Sequence, residues 1–178
     1  LGVLAPVYRE AGSSSSLVLD ASLHQLSILP IPGRGGLIQP SLVLVPDGRL
    51  YAFLRDQRRQ RVFVSQFNRG SMSWAPAVAT NLENPGSAVE AFTDQHGKIW
   101  LIHNLGRRDR STLAASSTSD GAHFTATCLF VQHKGDVAYP SAARLGDGEW
   151  VVAMSTHAKS AIETTLITQH WLDTCAQQ

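Results

Sequence analysis

A repeat of about fifty residues constrains this chain more than anything else in it. The stretches "GLIQPSLVLVPDGRLYAFLRD", "SAVEAFTDQHGKIWLIHNL" and "VAYPSAARLGDGEWVVAMSTH" follow one plan: a short strand, a turn ending in glycine, and an apolar strand with an aromatic near its start. The turn glycines Gly48, Gly97 and Gly148 fall 49 and 51 residues apart. Two more strands follow in the first unit ("RVFVSQF", "SWAPAVATNL") and in the second ("STLAASSTSD", "FTATCLFVQH"), whereas the third continues only with "SAIETTLITQHWL", which reads as a strand. Long stretches of 3.6-residue periodicity are missing, and Gly or Pro punctuates most gaps, so helix signals are scarce. A period near fifty built from short strands predicts an all-β chain folded as a β-propeller, one blade per repeat.

Ahead of the three units lies a part unit, "LGVLAPVYRE", "SSSSLVLD" and "LHQLSILPIP". "AGSSSSL" has the composition of a linker, but its place in the repeat makes it a loop entering a strand. The count predicts four blades, the first without its opening strand and the last without its closing one. Blades bury their faces only against neighbours, so an arc of this size leaves two apolar faces open to water, a larger surface than a monomer ordinarily exposes. Residues 1–178 are therefore expected to form a single, incomplete propeller domain of about 3–4 four-stranded blades, completed by the remaining half of a propeller or by a partner protein. The start at Leu1 agrees with a missing upstream part. A closed sandwich of about thirteen strands is the competing fold.

Composition narrows the function classes. Hydrophobic residues make up 43%, charged residues 16%, and the formal net charge is +1, which gives no electrostatic case for nucleic acid. No apolar run reaches the roughly 18 residues of a membrane-spanning helix. No Cys/His spacing reads as a zinc site, and no cofactor or metal is expected. Cys128 and Cys175 read as two unrelated thiols, with a single bridge as the alternative. That leaves the compartment open: secreted, periplasmic or organellar. His103, His157 and His170 are expected on the surface or lining a channel.

On the stretches "LIQPSLVLVPDGRLYAFLRD", "NPGSAVEA" and "YPSAARLGDG", the chain resembles the sialidase-like, BNR/Asp-box propeller family over nearly its whole length, as the C-terminal half of a six-bladed protein. The Asp-box turn of that family, Ser-x-Asp-x-Gly-x-Thr-Trp, is eroded here: "STSDGAHF" (117–124) keeps Ser, Asp, Gly and an aromatic, and "NRGSMSW" (68–74) keeps little beyond Trp74. The resemblance implies an anionic-glycan ligand. The family grips the substrate carboxylate with three arginines, attacks with a tyrosine activated by a glutamate, and takes an acid/base aspartate from an early blade. Guanidinium forks suit a carboxylate, and a neutral phenol does not repel an anionic sugar.

Carried over by position, Arg55 at the end of a second strand and Arg110 at the start of "RSTLAASS" would bind the carboxylate, and Tyr139 at the start of a first strand would be the nucleophile. Gln39 departs from the pattern by standing where the activating glutamate belongs, and an amide cannot take the phenolic proton. Glu90, in the apolar "SAVEAF", is a candidate ligand contact or alternative base. Tyr8 and Glu10 are weaker candidates. The bland readings are solvated turns for Arg55 ("RDQRRQR") and Arg110 ("RRDRS"), a packed aromatic for Tyr139, a backbone-bonded amide for Gln39 and a solvent-facing position for Glu90. Two functions follow: a glycan-binding and, when complete, hydrolysing propeller whose isolated arc is inactive, or a non-catalytic propeller serving as scaffold or accessory subunit.

Overall fold

A computed structural model describes residues 2–132 and 135–177. Four antiparallel sheets follow one another along the chain. The first holds β1 (Val3–Arg9), β2 (Ser13–Leu19) and β3 (Gln25–Pro30). The second holds β4 (Leu37–Leu44), β5 (Leu50–Asp56) and β6 (Arg61–Asn68), with β7 (Ser73–Trp74) and β8 (Val78–Glu83) both paired to β6. β9 (Glu90–Thr93), β10 (Ile99–Asn104), β11 (Thr112–Thr118) and β12 (Phe124–Gln132) make the third; β13 (Ala138–Gly146), β14 (Glu149–Thr156) and β15 (Ala161–Thr168) make the fourth. "SSSSL" thus lies within β2 rather than in a loop leading to it.

Strand direction identifies which blade parts are present. The β1–β2 turn meets the chain just before β4, where Gly36 N donates to Gly12 O at 3.0 Å, so β1 runs opposite to β4 and parallel in sense to β5. The first blade therefore contains its second to fourth strands and the fourth blade its first to third, as the repeat predicts.

Alternation along each strand builds one core per blade junction. On β5, Ala52 and Leu54 face the first blade, joining Ile31, Leu37 and Trp74, while Tyr51 and Phe53 face the third, joining Val43, Leu101 and Phe124. On β10, Ile99 and Leu101 point to the second blade and Trp100 and Ile102 to the fourth, against Trp150, Val152 and Met154. Phe53, Trp100, Leu101 and Ile102 are all 0% exposed; burying a side chain of the Leu, Ile or Phe class contributes about 1.5–3 kcal/mol. Both faces of the inner blades are dry, which is why "IWLIHN" is buried at every position.

The repeat glycines earn their places by conformation. Gly48, Gly97 and Gly148 close the turns between first and second strands at φ 91°, 77° and 76°, a region other residues enter only at a cost. The eroded boxes still work as turns between third and fourth strands. Asp120 Oδ1 accepts from Ala122 N and His123 N at 2.8 Å each, and Asn68 Oδ1 accepts from Gly70 N at 2.9 Å. Asp20 does the same in the first blade, accepting from Ser22 N and His24 N.

Three further sequence expectations are corrected. The end of "SAIETTLITQHWL" is not strand: β15 stops at Thr168, whose hydroxyl accepts from Trp171 N and caps the helix α1 (Gln169–Ala176). Leu172 and Cys175, three apart on one helix face, are buried against the third and fourth blades. Cys128 and Cys175 are not unrelated thiols but a disulfide joining β12 to α1, with Cα atoms 5.8 Å apart. His103 is neither on the surface nor on a channel; it is 1% exposed inside the third blade. No helix among the described residues is long and apolar enough to cross a membrane.

Candidate functional site

All four blades contribute to one open pocket of about 240 Å³ at the end where β4, β9 and β13 begin. Pro6 and Tyr8 come from β1, Gln39 and Ser41 from β4, Glu90 from β9 and Tyr139 from β13. The strand-end convergence expected of a propeller is present.

Gln39 and Tyr139 reach the pocket by the same backbone device. Each precedes Pro and Ser, each has a left-handed backbone (φ 51° and 53°), and each sits at a break in ladder register, between Ile38 and Ser41 and between Ala138 and Ser141. A bulge of this kind turns a side chain out of the strand's alternation. For residues other than glycine the conformation is strained, and such strain gathers at ligand sites. The recurrence of "QPS" and "YPS" two repeats apart was the sequence signal for it.

Gln39 occupies the centre of a hydrogen-bond chain. Its Nε2 donates to the Tyr8 hydroxyl at 3.1 Å, and its Oε1 accepts from Arg55 Nη1 at 2.8 Å. The amide is thus bonded to side chains on both sides, not to backbone. The residue after Arg55, Asp56, is 0% exposed, pairs with Arg34 and accepts from Arg58 N at 3.0 Å. Arg34 also lies over the Phe63 ring at 4.5 Å. Arg55 Nε is buried with no acceptor among the described residues.

Arg110 is fixed by the "NPGS" turn. Asn84 Oδ1 accepts from Gly86 N and Ser87 N at 2.8 and 2.9 Å, which aims the Gly86 carbonyl at Arg110 Nη2, 2.8 Å away. The Arg110 guanidinium carbon stands 5.6 Å from the centre of the Tyr139 ring, and Lys159 Nζ stands 5.0 Å from it. Burial pushes the Tyr139 phenol up, but hydrogen bonds from Arg55, Arg110 and Lys159 and the Arg110 charge outweigh it and hold the phenol below its ordinary value of 10.0. Sequence reasoning named both arginines and the tyrosine. It missed Lys159, which no repeat position marks.

Glu90 faces the same pocket with both oxygens engaged. Ser41 Oγ donates to Oε2 at 3.0 Å and Ala142 N to Oε1 at 3.3 Å, so the carboxylate clasps β4, β9 and β13 together. Burial, partly offset by these bonds, raises its pKa. Tyr8 lines the pocket; Glu10 is exposed in the β1–β2 turn, where its carbonyl accepts from Gln57. His157 and His170 are exposed.

A profile of the family described as "BNR repeat-like domain" matches residues 2–152. No curated protein matches the chain. Among solved structures, the NanB sialidase of Streptococcus pneumoniae is similar with a TM-score of 0.68 and 15% identity, over 92% of this chain and 28% of that one. A protein of unknown function from Dyadobacter fermentans gives a TM-score of 0.70 at 15% identity, over 88% of this chain and 46% of that one. A Hadza microbial sialidase gives 0.63 at 14%, over 93% and 37%. This chain spans less than half the length of each. At such identities the likeness concerns the fold, a sialidase-like propeller.

Proposed function

We propose, from the premise that this chain belongs to the BNR repeat-like domain family, that it binds the carboxylate of an anionic glycan at the four-blade pocket. Arg55 and Arg110 hold the carboxylate, Tyr139 stands at the anomeric carbon, Gln39 orients both Arg55 and the sugar, and Glu90 shapes the floor. One observation carries this reading: two guanidinium groups from different blades converge beside Tyr139, Arg110 with its guanidinium carbon 5.6 Å from the ring centre and Arg55 bonded at 2.8 Å to Gln39, which lines the same pocket as Tyr139. A bound carboxylate beside Tyr139 would meet the remaining donors of the Arg55 and Arg110 guanidinium groups. Similarity to two sialidases supports the sugar class. Glycoside hydrolysis is the activity proposed for the whole protein; within residues 1–178 no described carboxylate contacts Tyr139 to take its proton, so the chain by itself is expected to bind without turnover.

Calorimetric titration with N-acetylneuraminic acid, with galactose as the neutral control, tests the assignment. Binding of the acid but not the neutral sugar is expected, and Arg110→Ala should weaken it about 10- to 100-fold, the worth of one charge-assisted contact. Equal affinity of the native and Arg110→Ala proteins would remove Arg110 from the site.

The second reading, a non-catalytic scaffold or accessory propeller, is favoured by a separate observation: the apolar outer faces of the first and fourth blades, with Ile28 at 53% and Ile162 at 77% exposure. A fluorogenic sialoside left uncleaved by the full-length gene product, together with a stable complex with a second protein, would select this reading.

A further inference from the structure

Lys159 sits on a turn whose backbone is unusual in itself. His157, Ala158 and Lys159 have φ of 49°, 54° and 72° in succession, and none is glycine. Left-handed backbone is unfavourable for residues other than glycine, so three in a row persist only where other contacts impose them. Ser160 Oγ and Ser160 N both donate to the His157 carbonyl, at 2.7 and 3.2 Å. Across the base of the turn, Thr156 Oγ1 donates to Glu163 Oε1 at 2.9 Å, and His157 Nε2 lies 3.5 Å from the same oxygen. The result folds the turn back so that Lys159, itself exposed, places its ammonium over the Tyr139 ring.

The charged and titratable groups around Tyr139 can be taken blade by blade. Arg110 approaches its ring from the segment before β11 and Lys159 from the β14–β15 turn, at 5.6 and 5.0 Å from the ring centre, and Arg55 on β5 is the third cation acting on the phenol. Glu90 and Tyr8 line the pocket across from it, but Glu90 is engaged by Ser41 and Ala142, and Tyr8 by Gln39. Lys159 makes no ion pair among the described residues. Three cations thus surround Tyr139, and no described carboxylate is among its partners.

We propose that Lys159 is a positioning residue for Tyr139: with Arg55 and Arg110 it forms a cation cage that stabilises the phenolate. In this arrangement the phenol O–H bond breaks with the proton passing to water, and the oxyanion stays in the cage. The chemical use of that oxyanion rests on the glycan-site reading above; the cage itself does not.

Ultraviolet titration of phenol ionisation in the ligand-free protein tests it, with the Tyr139→Phe variant subtracted to remove Tyr8 and Tyr51. The midpoint assigned to Tyr139 is expected below the ordinary 10.0. Lys159→Gln should raise it by on the order of half a pH unit, Lys159→Arg should leave it in place, and added salt should raise it in the native protein, because an exposed cation is screened. A midpoint unmoved by Lys159→Gln in a protein with native circular dichroism would overturn the proposal, as would a native midpoint at or above 10. Neither outcome depends on whether N-acetylneuraminic acid binds.

Discussion

His103 shows how much one buried polar side chain settles. Its Nδ1 lies 3.0 Å from the Asn104 carbonyl, which can only accept, so Nδ1 carries the proton. Nε2 then accepts from Ser116 Oγ at 2.8 Å, and Ser116 Oγ in turn accepts from Thr127 Oγ1 at 2.6 Å. The ring is neutral with both nitrogens satisfied, and burial holds its pKa down to about 4, from an ordinary 6.5. In the unfolded chain the ring takes up a proton as pH falls through 6.5; in the folded chain it resists until about 4. Stability contributed by keeping it neutral is therefore complete above 6.5 and is lost as pH falls from there toward 4, by about 3 kcal/mol. Urea unfolding at pH 7 and pH 4.5 should show a larger loss in the native protein than in His103→Asn; equal losses would contradict the buried neutral ring. The expectation that His103 lies on the surface or lines a channel does not hold. In a blade with neighbours on both sides, no position of "IWLIHN" reaches water.

Among the elements, α1 and its disulfide are the part that pattern alone did not disclose. Eight residues are too few for helical periodicity to stand out, and the β-branched residues of "AIETTLIT" lead straight into α1 and favour strand. Only Thr168 as a cap marks the change. The pairing of Cys128 with Cys175 is a fact of three-dimensional packing: 47 residues separate them, and they meet because α1 folds back under β12, where Trp171 packs edge-on against Phe130. The blades, by contrast, were legible because their turns need glycine at φ of 76–91°, a demand that leaves its mark at a fixed spacing. The Gln39 and Tyr139 bulges were half legible: their residues stood out, their shared left-handed backbone did not. Closing a loop of this length removes chain entropy worth about 4 kcal/mol from the unfolded state. Reduction with a phosphine should accordingly lower the thermal midpoint by several degrees and release α1, seen as faster amide exchange over 169–176 with β10 still protected. An unchanged midpoint after verified reduction would mean that α1 contributes little to the fold.

At the scale of the whole molecule, the registers of the outer blades specify what the arc lacks. On the fourth blade Val151 pairs with Leu166 and Ser155 with Ile162, so these side chains share the face opposite Trp150, Val152 and Met154; Ile162 is 77% and Leu166 60% exposed. On the first, Leu17 pairs with Ile28 on the face away from buried Ser14 and Ser16, and Leu26 and Ile28 are 64% and 53% exposed. The inner junctions show what such faces normally meet: each is an interdigitated core of a dozen or so side chains against another blade. Two faces of that kind left open exceed the few hundred Å² of apolar patch a monomer carries. Residues 1–178 expressed alone should therefore self-associate with rising concentration, in light scattering coupled to size exclusion, above the 19.3 kDa of one chain. Placing lysine on the fourth blade's open face, Ile162→Lys with Leu166→Lys, should shift the population toward monomer while leaving the Tyr139 pocket and its ionisation midpoint unaltered, because both positions point away from β9 and β10. A monodisperse native monomer across the same concentrations would show that these faces tolerate water, and the argument for a completing blade, from this protein or another, would fail with it.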